Sequence, residues 1–293
     1  MIKFPGKRFI KSLILDSSRR NLRCLFVLST GRTGTDTITR LLDMSPEICA
    51  EHEPFPEMLA ETKKAYQDPT SVPDVAAYYH DLRYFRLPGT NSLRRCSNRR
   101  LIYAETSNRL TYIAPALADY FPQSRFIFLH RNPPDVIRSA MRRRYYDGHP
   151  WDAHRIEPRA DDPFRAHWEG WSPFERCCWY WRAVNDFSQK FVTQLPKERT
   201  FTLSSTALFA ADPSVMLPIF DWLKTPAPSL SEMQQVLQVR HNSQEQGDFP
   251  TWMEWTEDLR SRMVNVVRGV DERIGYEYSA SFHSTVSGSS GIS

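Results

Sequence analysis

The chain has 293 residues, of which 41% are hydrophobic and 25% are charged, the balance of an ordinary globular protein. Its net charge of +4 is too small to indicate nucleic acid as a partner. No window approaches the roughly 18 consecutive apolar residues that a membrane span requires. The length favours one α/β domain with insertions over two domains.

The five cysteines, Cys24, Cys49, Cys96, Cys177 and Cys178, contain no C-x-x-C pair. An odd number of cysteines, some of them inside apolar runs, does not suggest a disulfide framework. We therefore expect a reducing compartment and a cytoplasmic location.

The N-terminal leader, residues 1–22, combines many basic residues with scattered apolar ones such as Phe9, Leu13 and Ile14. It lacks the apolar core and the cleavage site of a signal peptide. Two interpretations stay open. The segment is a solvated helix, or it is a basic amphipathic helix in peripheral contact with the inner face of a membrane.

A continuous apolar run over residues 24–29 predicts a strand buried on both faces. It ends at the loop of residues 30–37, TGRTGTDT, and a helical pattern follows over residues 35–44. A strand, a tight loop and a helix gather backbone N–H groups around an anion. The ATP-binding version requires a lysine directly after its last glycine, whereas here no lysine follows Gly34 and the cation is Arg32. The loop therefore predicts a phosphate or sulfate cradle and argues against hydrolysis of a nucleoside triphosphate.

Strands and helices alternate along the rest of the chain. The sequence predicts further strands over residues 47–51, 101–106, 125–130 and 200–204, and helices over residues 57–66, 110–121, 174–195, 214–223 and 252–274, with another beginning at Pro133. This alternation predicts an α/β fold, a parallel sheet with helices on both faces, as a single domain over residues 23–278.

Several segments show little pattern. Residues 67–98 are polar and dotted with proline, which indicates a lid or an insertion, and residues 146–174 are predicted to be a second insertion. Residues 225–250 are loop-rich, and the serine- and glycine-rich residues 279–293 are expected to be a disordered tail.

Three polar segments follow predicted strands: the Arg32 loop, the pair His52-Glu53, and Arg131. Ligands of open α/β sheets gather beyond the carboxyl ends of the strands, so we expect these segments to meet. Ser139 lies two helical turns into the helix after Arg131, and a guanidinium and a hydroxyl placed so can share one phosphate. Taken alone, Arg131 is equally compatible with an ordinary surface ion pair. Together with the first loop, it suggests a ligand with two separate anionic ends.

The element Arg32-Thr33-Gly34-Thr35, followed by Arg131-Asn132-Pro133-x-Asp135-x-x-x-Ser139, resembles the sulfotransferases that use 3′-phosphoadenosine 5′-phosphosulfate (PAPS). The likeness spans roughly residues 23–145. In that family the first element holds the 5′-phosphosulfate and the second holds the 3′-phosphate. The resemblance implies a P-loop-like fold, PAPS as cosubstrate, adenosine 3′,5′-bisphosphate (PAP) as product, and no metal.

The resemblance also implies roles for single residues. Arg32 would offset the charge that builds on the leaving phosphate. The loop residues that would line the anion cradle are Thr33, Gly34, Thr35 and Thr37. Asp36 departs from the threonine that is common in the family, which leaves hydroxyl donation at that position in question. In the first turn of a helix it favours the helix dipole instead.

The segment His52-Glu53-Pro54 resembles the acidic segment of carbohydrate-directed and bacterial members. We expect Glu53 to be the general base that takes the proton of the acceptor hydroxyl, with His52 as the rival base. The alternative for Glu53 is a structural ion pair with a neighbouring arginine. The acceptor is expected to be a carbohydrate, a glycolipid or a small molecule that carries a hydroxyl group.

Weaker signals and two other function classes remain. Asp152, His154 and His167 can bind metals, but their spacing fits no ligand set, and solvated loop residues are the better interpretation. Residues 240–242, Arg-His-Asn, loosely match the family's basic loop over the nucleotide. The alternatives to a sulfotransferase are a P-loop kinase of small molecules and a non-catalytic relative that binds a nucleotide or a glycan.

Overall fold

A computed structural model describes residues 7–86, 92–239 and 247–278, without the side chains of residues 7–12 and 86. The predicted loop of residues 240–242 and the predicted tail of residues 279–293 lie outside this part of the chain. The strands are β1 (Arg23–Leu28), β2 (Ile48–Glu51), β3 (Ile102–Glu105), β4 (Arg125–His130) and β5 (Thr200–Ser204). The helices are α1 (Lys7–Asn21), α2 (Thr35–Asp43), α3 (Leu59–Gln67), α4 (Val75–Asp81), α5 (Ser92–Arg99), α6 (Ala114–Tyr120), α7 (Pro133–Arg142), α8 (Pro173–Gln194), α9 (Ser205–Phe209), α10 (Leu217–Leu223), α11 (Leu230–Gln238), α12 (Glu257–Val267) and α13 (Val270–Arg273).

The five strands form one sheet in the order β2-β3-β1-β4-β5, and every pair is parallel. Successive side chains of the central strand β1 enter two separate cores. Phe26 and Leu28 pack in a large core with α8, whereas Leu25 and Val27 pack in a smaller core with α2 and α10. Burial on both faces explains the unbroken apolar run of this strand. The predicted α/β fold with helices on both faces of a parallel sheet is confirmed.

The helix α7 begins as its sequence predicts. The Asn132 side chain accepts a hydrogen bond from the backbone N–H of Asp135 at 2.9 Å, and Pro133 occupies the first helical position. Strands β4 and β5 coincide with the predicted residues 125–130 and 200–204. The end of β4 and the start of α7 are therefore fixed locally, which places Arg131 in the short link between them.

Two C-terminal segments differ from the prediction. The stretch predicted as loop-rich contains α11, whose first turn is closed by reciprocal hydrogen bonds between Ser229 and Glu232. The long helix predicted over residues 252–274 is divided into α12 and α13 at Gly269, whose φ is +83°. A glycine in the left-handed conformation ends one helix and lets the chain change direction before the next.

The described residues of the segment predicted to be a lid or insertion, residues 67–98, include helices that pack in the large core. Tyr79, Leu93 and Cys96 are fully buried there. Some of its polar side chains are buried and have internal partners. His80 Nε2 lies 3.0 Å from Ser18 Oγ, and Arg83 pairs with the buried carboxylate of Glu105. These polar residues interrupt the apolar periodicity by which a core helix is recognised in a sequence.

Candidate active site

The polar segments predicted to converge do meet at the carboxyl edge of the sheet, around a cavity of about 990 Å³. The predicted site residues that line this cavity are Arg32, Gly34, Thr35, Asp36, Thr37, His52, Glu53, Arg131 and Ser139. They come from the loop after β1 and the first turn of α2, from the segment after β2, and from the link after β4 and the helix α7 that follows it. The topology therefore brings together residues that lie more than a hundred positions apart in the chain.

The loop after β1 makes a sharp turn through left-handed backbone. Gly31, Arg32 and Gly34 have φ angles of +73°, +61° and +90°. A Cβ added to Gly34 would lie 3.3 Å from Cζ of Phe209, so a side chain at this position would be both strained and crowded. Arg32 holds a conformation that residues other than glycine adopt rarely, which is typical of functional turns. The left-handed backbone at Arg32 and Gly34 turns the chain into α2, and the first turn of α2 lines the cavity.

Thr33 is the one predicted cradle residue whose side chain does not border the cavity. It is completely buried, and its Oγ1 has no hydrogen-bond partner in the described part of the chain. Its backbone carbonyl accepts a hydrogen bond from Ser205 Oγ at 2.5 Å, which anchors the loop to α9. Of the predicted cradle threonines, Thr35 and Thr37 border the cavity.

Asp36 borders the cavity without leaving its charge uncompensated. Its Oδ2 lies 3.3 Å from Nε of Arg40, one turn further along α2. A carboxylate in the first turn of a helix is also favoured by the helix dipole. The departure from the family's threonine is thus accommodated within α2 itself.

The side chains of Arg32, in the loop after β1, and Ser139, on α7, are in contact, which joins the two sequence elements that carry the family resemblance. Arg32 Nε donates to Ser139 Oγ at 3.0 Å, and Nη1 of Arg131 donates to the Arg32 carbonyl at 3.2 Å. Arg131 also pairs with Asp135 at 2.9 Å, so the simple ion pair is present, yet its guanidinium still lines the cavity. The Trp181 indole N–H donates to the Arg131 carbonyl at 2.9 Å and so holds the backbone of Arg131 in place.

The cavity is strongly cationic around Arg32. Burial lowers the pKa of Arg32, and the nearby charges of Arg143 and Arg131 lower it further, whereas the charge of Glu53 acts in the opposite direction. Like charges this close destabilise one another unless an anion lies between them. The arrangement therefore favours a negatively charged ligand.

Glu53 is held in an ion pair, as the structural alternative anticipated. Its Oε2 lies 3.0 Å from Nη2 of Arg109, whose Nη1 lies 3.3 Å from Oε1 of Glu57. The Arg109 guanidinium also lies over the Trp151 ring, 4.2 Å from its centroid. The Glu53 side chain remains 28% exposed and lines the cavity. The ion pair fixes the carboxylate in place and leaves it in reach of a ligand.

His52 is oriented by the strand next to its own. Its Nδ1 lies 3.0 Å from the carbonyl oxygen of Thr106 and 3.1 Å from the hydroxyl of the same residue. A carbonyl oxygen can only accept, so Nδ1 carries the proton in this contact and the neutral ring keeps a lone pair on Nε2. His52 is thus also equipped to accept a proton.

Behind this segment lies a buried charged network that the sequence did not reveal. The Glu105 carboxylate, at the end of β3, accepts from Tyr79 at 2.7 Å, from Tyr103 at 2.9 Å, and from Arg83 through two bonds of 3.1 Å. Nη2 of Arg83 also donates to the carbonyls of Pro54 and Pro56, each at 3.1 Å. Arg83 therefore ties the chain just after Glu53 to the core. No spacing in the sequence pairs Arg83 with Glu105.

The second predicted insertion forms one wall of the cavity. The Asp152 carboxylate accepts hydrogen bonds from the backbone N–H groups of Tyr146, Gly148 and His149 and pairs with Arg155 at 2.7 Å. Asp152 is thus an organiser of the loop. No group of three or more His, Cys, Asp or Glu residues that could hold a metal ion occurs within residues 7–86, 92–239 and 247–278.

Comparisons with known proteins bear on the fold and the family of the chain. The model of a family described as "Sulfotransferase family" matches residues 24–229. The sulfotransferase domain from the curacin biosynthetic pathway has a similar fold, with 17% identity and a TM-score of 0.54 over 89% of this chain and 100% of that domain. The sulfotransferase domain from the Synechococcus PCC 7002 olefin synthase is similar too, with 16% identity and a TM-score of 0.54 over 89% of this chain and 97% of that domain.

A search of curated proteins found no match. The solved structures establish the fold, and the family model covers well over half of the chain. From the match of residues 24–229 we conclude that the chain belongs to the sulfotransferase family, enzymes that transfer a sulfuryl group from PAPS.

Proposed function

We propose that this enzyme transfers the sulfuryl group of PAPS to a hydroxyl of a carbohydrate, a glycolipid or a related small molecule. The observation that carries the proposal is the 3.0 Å contact between Arg32 Nε and Ser139 Oγ. It joins the two elements that resemble the donor-binding motifs at one cavity. A donor with a 5′-phosphosulfate and a 3′-phosphate has the two anionic ends that such a site requires.

The residues present suit this donor. Arg131 and Ser139 would hold the 3′-phosphate through a guanidinium and a hydroxyl, which together give charge and directed hydrogen bonds. Arg32, the backbone around Gly34, and the hydroxyls of Thr35 and Thr37 would hold the phosphosulfate. The mutual repulsion of the arginines around Arg32 supports an anion at this position, because such an anion would relieve it.

The residue proposed to activate the acceptor is Glu53. Sulfuryl transfer resembles phosphoryl transfer, in which positioning, charge neutralisation and proton removal supply most of the catalysis. The ion pair with Arg109 supports this role because it fixes the carboxylate at the cavity wall. His52 stays the second candidate, because the neutral ring has a lone pair on Nε2.

The acceptor class is proposed from the cavity walls. Trp151, Tyr145 and Tyr180 line the cavity, together with polar groups such as Asn108. Aromatic faces combined with hydrogen-bonding groups suit a sugar ring, which has apolar faces and a polar rim. Trp168, Trp179 and Trp181, by contrast, are buried in the core and lie outside any acceptor site.

The test is calorimetric binding of PAP and, separately, of ATP with magnesium to the wild type and to Arg131→Ala. Tight PAP binding that the substitution weakens at least tenfold would support the donor site. Arg144→Ala is the matched control, because Arg144 is exposed and pairs with Asp147 instead. Binding of ATP with magnesium in place of PAP would overturn the proposal and favour a small-molecule kinase.

We further propose a cytoplasmic location with peripheral membrane contact through α1. All five cysteines are free thiols, in keeping with a reducing compartment. Leu13 and Ile14 are exposed on α1, where they are available to a membrane surface. Within the described residues, no helix combines the length and apolar character needed to cross a bilayer. Co-sedimentation with anionic vesicles that Leu13→Ser and Ile14→Ser together abolish would support the contact, and unchanged co-sedimentation would refute it.

A further inference from the structure

Cys49 and Cys96 meet at one edge of the sheet. Cys49 lies on the edge strand β2, and Cys96 lies on α5, which packs against β2. Cys96 belongs to the large core, Cys49 packs against that core, and the two sulfurs are close enough to influence each other's protonation. Cys96 is completely buried, whereas Cys49 is partly exposed. A reagent in solution can therefore reach Cys49, whereas Cys96 is shielded in the core beside it.

The surroundings of Cys49 stabilise its thiolate. Nη2 of Arg95 lies 3.2 Å from Cys49 Sγ. The neighbouring Cys96 thiol and the Arg95 guanidinium hold the pKa of Cys49 well below its usual range, against burial and the charge of Glu51. The Glu51 carboxylate is itself engaged by the hydroxyls of Ser92 and Tyr103. The neighbouring Cys49 sulfur and burial raise the pKa of Cys96, which stays a thiol.

The other three cysteines lack these features. Cys24, Cys177 and Cys178 are buried, and burial raises the pKa of each thiol. Cys24 is level with Cys49 in the sheet through Tyr103 on the strand between them. Two strand spacings, roughly 10 Å, separate their backbones, which is too far for a disulfide. Among the five cysteines, only Cys49 is partly exposed, and its buried neighbour is Cys96.

We propose that Cys49 and Cys96 form a redox-active pair that closes to an intramolecular disulfide when the protein meets a peroxide. The Cys49 thiolate attacks one peroxide oxygen, so an S–O bond forms, the O–O bond breaks, and hydroxide leaves and becomes water. The Cys96 sulfur then attacks the Cys49 sulfenic acid. The S–S bond forms, the S–O bond breaks, and the Cys96 proton leaves with the hydroxyl group as a second water. Two electrons pass from the thiols to the peroxide.

The disulfide would fasten α5 to the strand that leads directly into His52 and Glu53. It would close a loop of roughly 50 residues, long enough to restrict the unfolded chain substantially. A thiol reductant would reverse it, since disulfides exchange with thiolates. The inference rests on sulfur chemistry alone and is independent of the proposed function.

The experiment treats the full chain with one equivalent of hydrogen peroxide and maps the peptides without reduction. We expect two of the five thiols to disappear, a mass loss of two hydrogen atoms, and one linked peptide pair containing Cys49 and Cys96 in a monomer. The melting temperature should rise by about 5–10 °C and return on reduction. Cys49→Ser and Cys96→Ser should each abolish the linked peptide, and Cys24→Ser should leave it unchanged.

A second measurement tests the thiolate without requiring the disulfide. Cys96→Ser keeps a hydroxyl donor beside Cys49, and iodoacetamide should then alkylate Cys49 with a midpoint clearly below pH 8. Adding Arg95→Gln should slow that reaction about fivefold or more at pH 7. A midpoint above pH 8.5, a disulfide between two molecules, or oxidation of Cys24, Cys177 or Cys178 before Cys49 would each overturn the inference.

Discussion

At the scale of single residues, Glu53 combines two features that are usually alternatives. It forms an ion pair with Arg109 at 3.0 Å, and it also lines the cavity into which Arg32 and Arg131 project. The same Arg109 pairs with Glu57 at 3.3 Å. One arginine thus holds two carboxylates, which provides a direct way to separate the structural contribution of an ion pair from proton transfer.

We predict that Glu53→Gln lowers kcat by about 10²–10⁴-fold and leaves the affinity for PAP within about twofold. The amide keeps the size of the side chain but cannot accept the acceptor proton. Glu57→Gln removes the other ion pair of Arg109 and is the matched control, which should keep kcat within a few-fold. Equal losses in the two variants would assign Glu53 a structural role, and a larger loss in His52→Asn would make His52 the base.

Ser139 is the residue on which the two motif elements meet, and its hydroxyl accepts from Arg32. We predict that Ser139→Ala weakens PAP binding about 5- to 20-fold, since one hydrogen bond to a charged group contributes about 1.5–3 kcal/mol, part of which water replaces. Ser17→Ala, on the exposed side of α1, should leave the affinity unchanged. Calorimetry of both variants checks this, and unchanged affinity in Ser139→Ala would remove Ser139 from the donor site.

At the scale of elements, the loop between β1 and α2 depends on left-handed backbone, and Gly34 and Gly275 offer a matched pair. Gly34 has φ +90° and Gly275 has φ +87°, but an added Cβ would crowd Phe209 only at Gly34. We predict that Gly34→Ala and Gly275→Ala each lower the free energy of unfolding by about 1 kcal/mol from backbone strain. Only Gly34→Ala should weaken PAP binding. Weakening in both would mean that strain in general, and not the shape of this loop, controls the site.

The segment after β2 depends on the network of Arg83 and Glu105. Removing one partner of a buried ion pair leaves the other charge uncompensated and costs about 3–5 kcal/mol. We therefore predict that Arg83→Gln lowers the free energy of unfolding by about that amount and reduces kcat through the loss of its bonds to Pro54 and Pro56. Arg83→Lys keeps the charge but cannot form the bidentate hydrogen bonds. Its free energy of unfolding and its kcat should lie between those of the wild type and Arg83→Gln. Urea unfolding and initial rates check this, and full activity in a folded Arg83→Gln would refute the role in positioning.

At the scale of the whole molecule, the sequence predicted the parallel sheet from local signals, and the convergence of the three polar segments followed from the rule that ligands gather at the carboxyl edge of such a sheet. Buried apolar strands, the cap at Asn132 and the loop around Gly34 can be recognised within a few residues. The sequence allowed an ion pair between Glu53 and an arginine but could not identify Arg109 as the partner, since Arg109 lies more than fifty residues away and no short-range pattern joins the two. The helices within residues 67–98 escaped recognition for a related reason, because their buried polar residues, such as Arg83, find their partners only in the folded chain.

Two buried histidines make the stability of the whole molecule depend on pH. Burial lowers the pKa of both His80 and His130 to about 4. His80 lies 3.0 Å from Ser18 Oγ of α1, and His130 Nδ1 lies 3.0 Å from the Tyr276 hydroxyl near the end of the described chain. Each ring therefore takes part in a contact between distant parts of the chain.

In the unfolded chain these rings have their ordinary pKa near 6.5, so between about pH 6.5 and pH 4 the unfolded state binds more protons than the folded state. The free energy of unfolding is therefore highest above pH 6.5 and falls as the pH drops through this window. We predict a loss on the order of a few kcal/mol between pH 7.5 and pH 5, measured by urea unfolding. His80→Gln should reduce the dependence on pH, whereas His167→Gln, at an exposed position, should leave it unchanged. Equal pH dependence in His80→Gln and the wild type would show that the acid sensitivity arises elsewhere, with the paired carboxylates as the next groups to test.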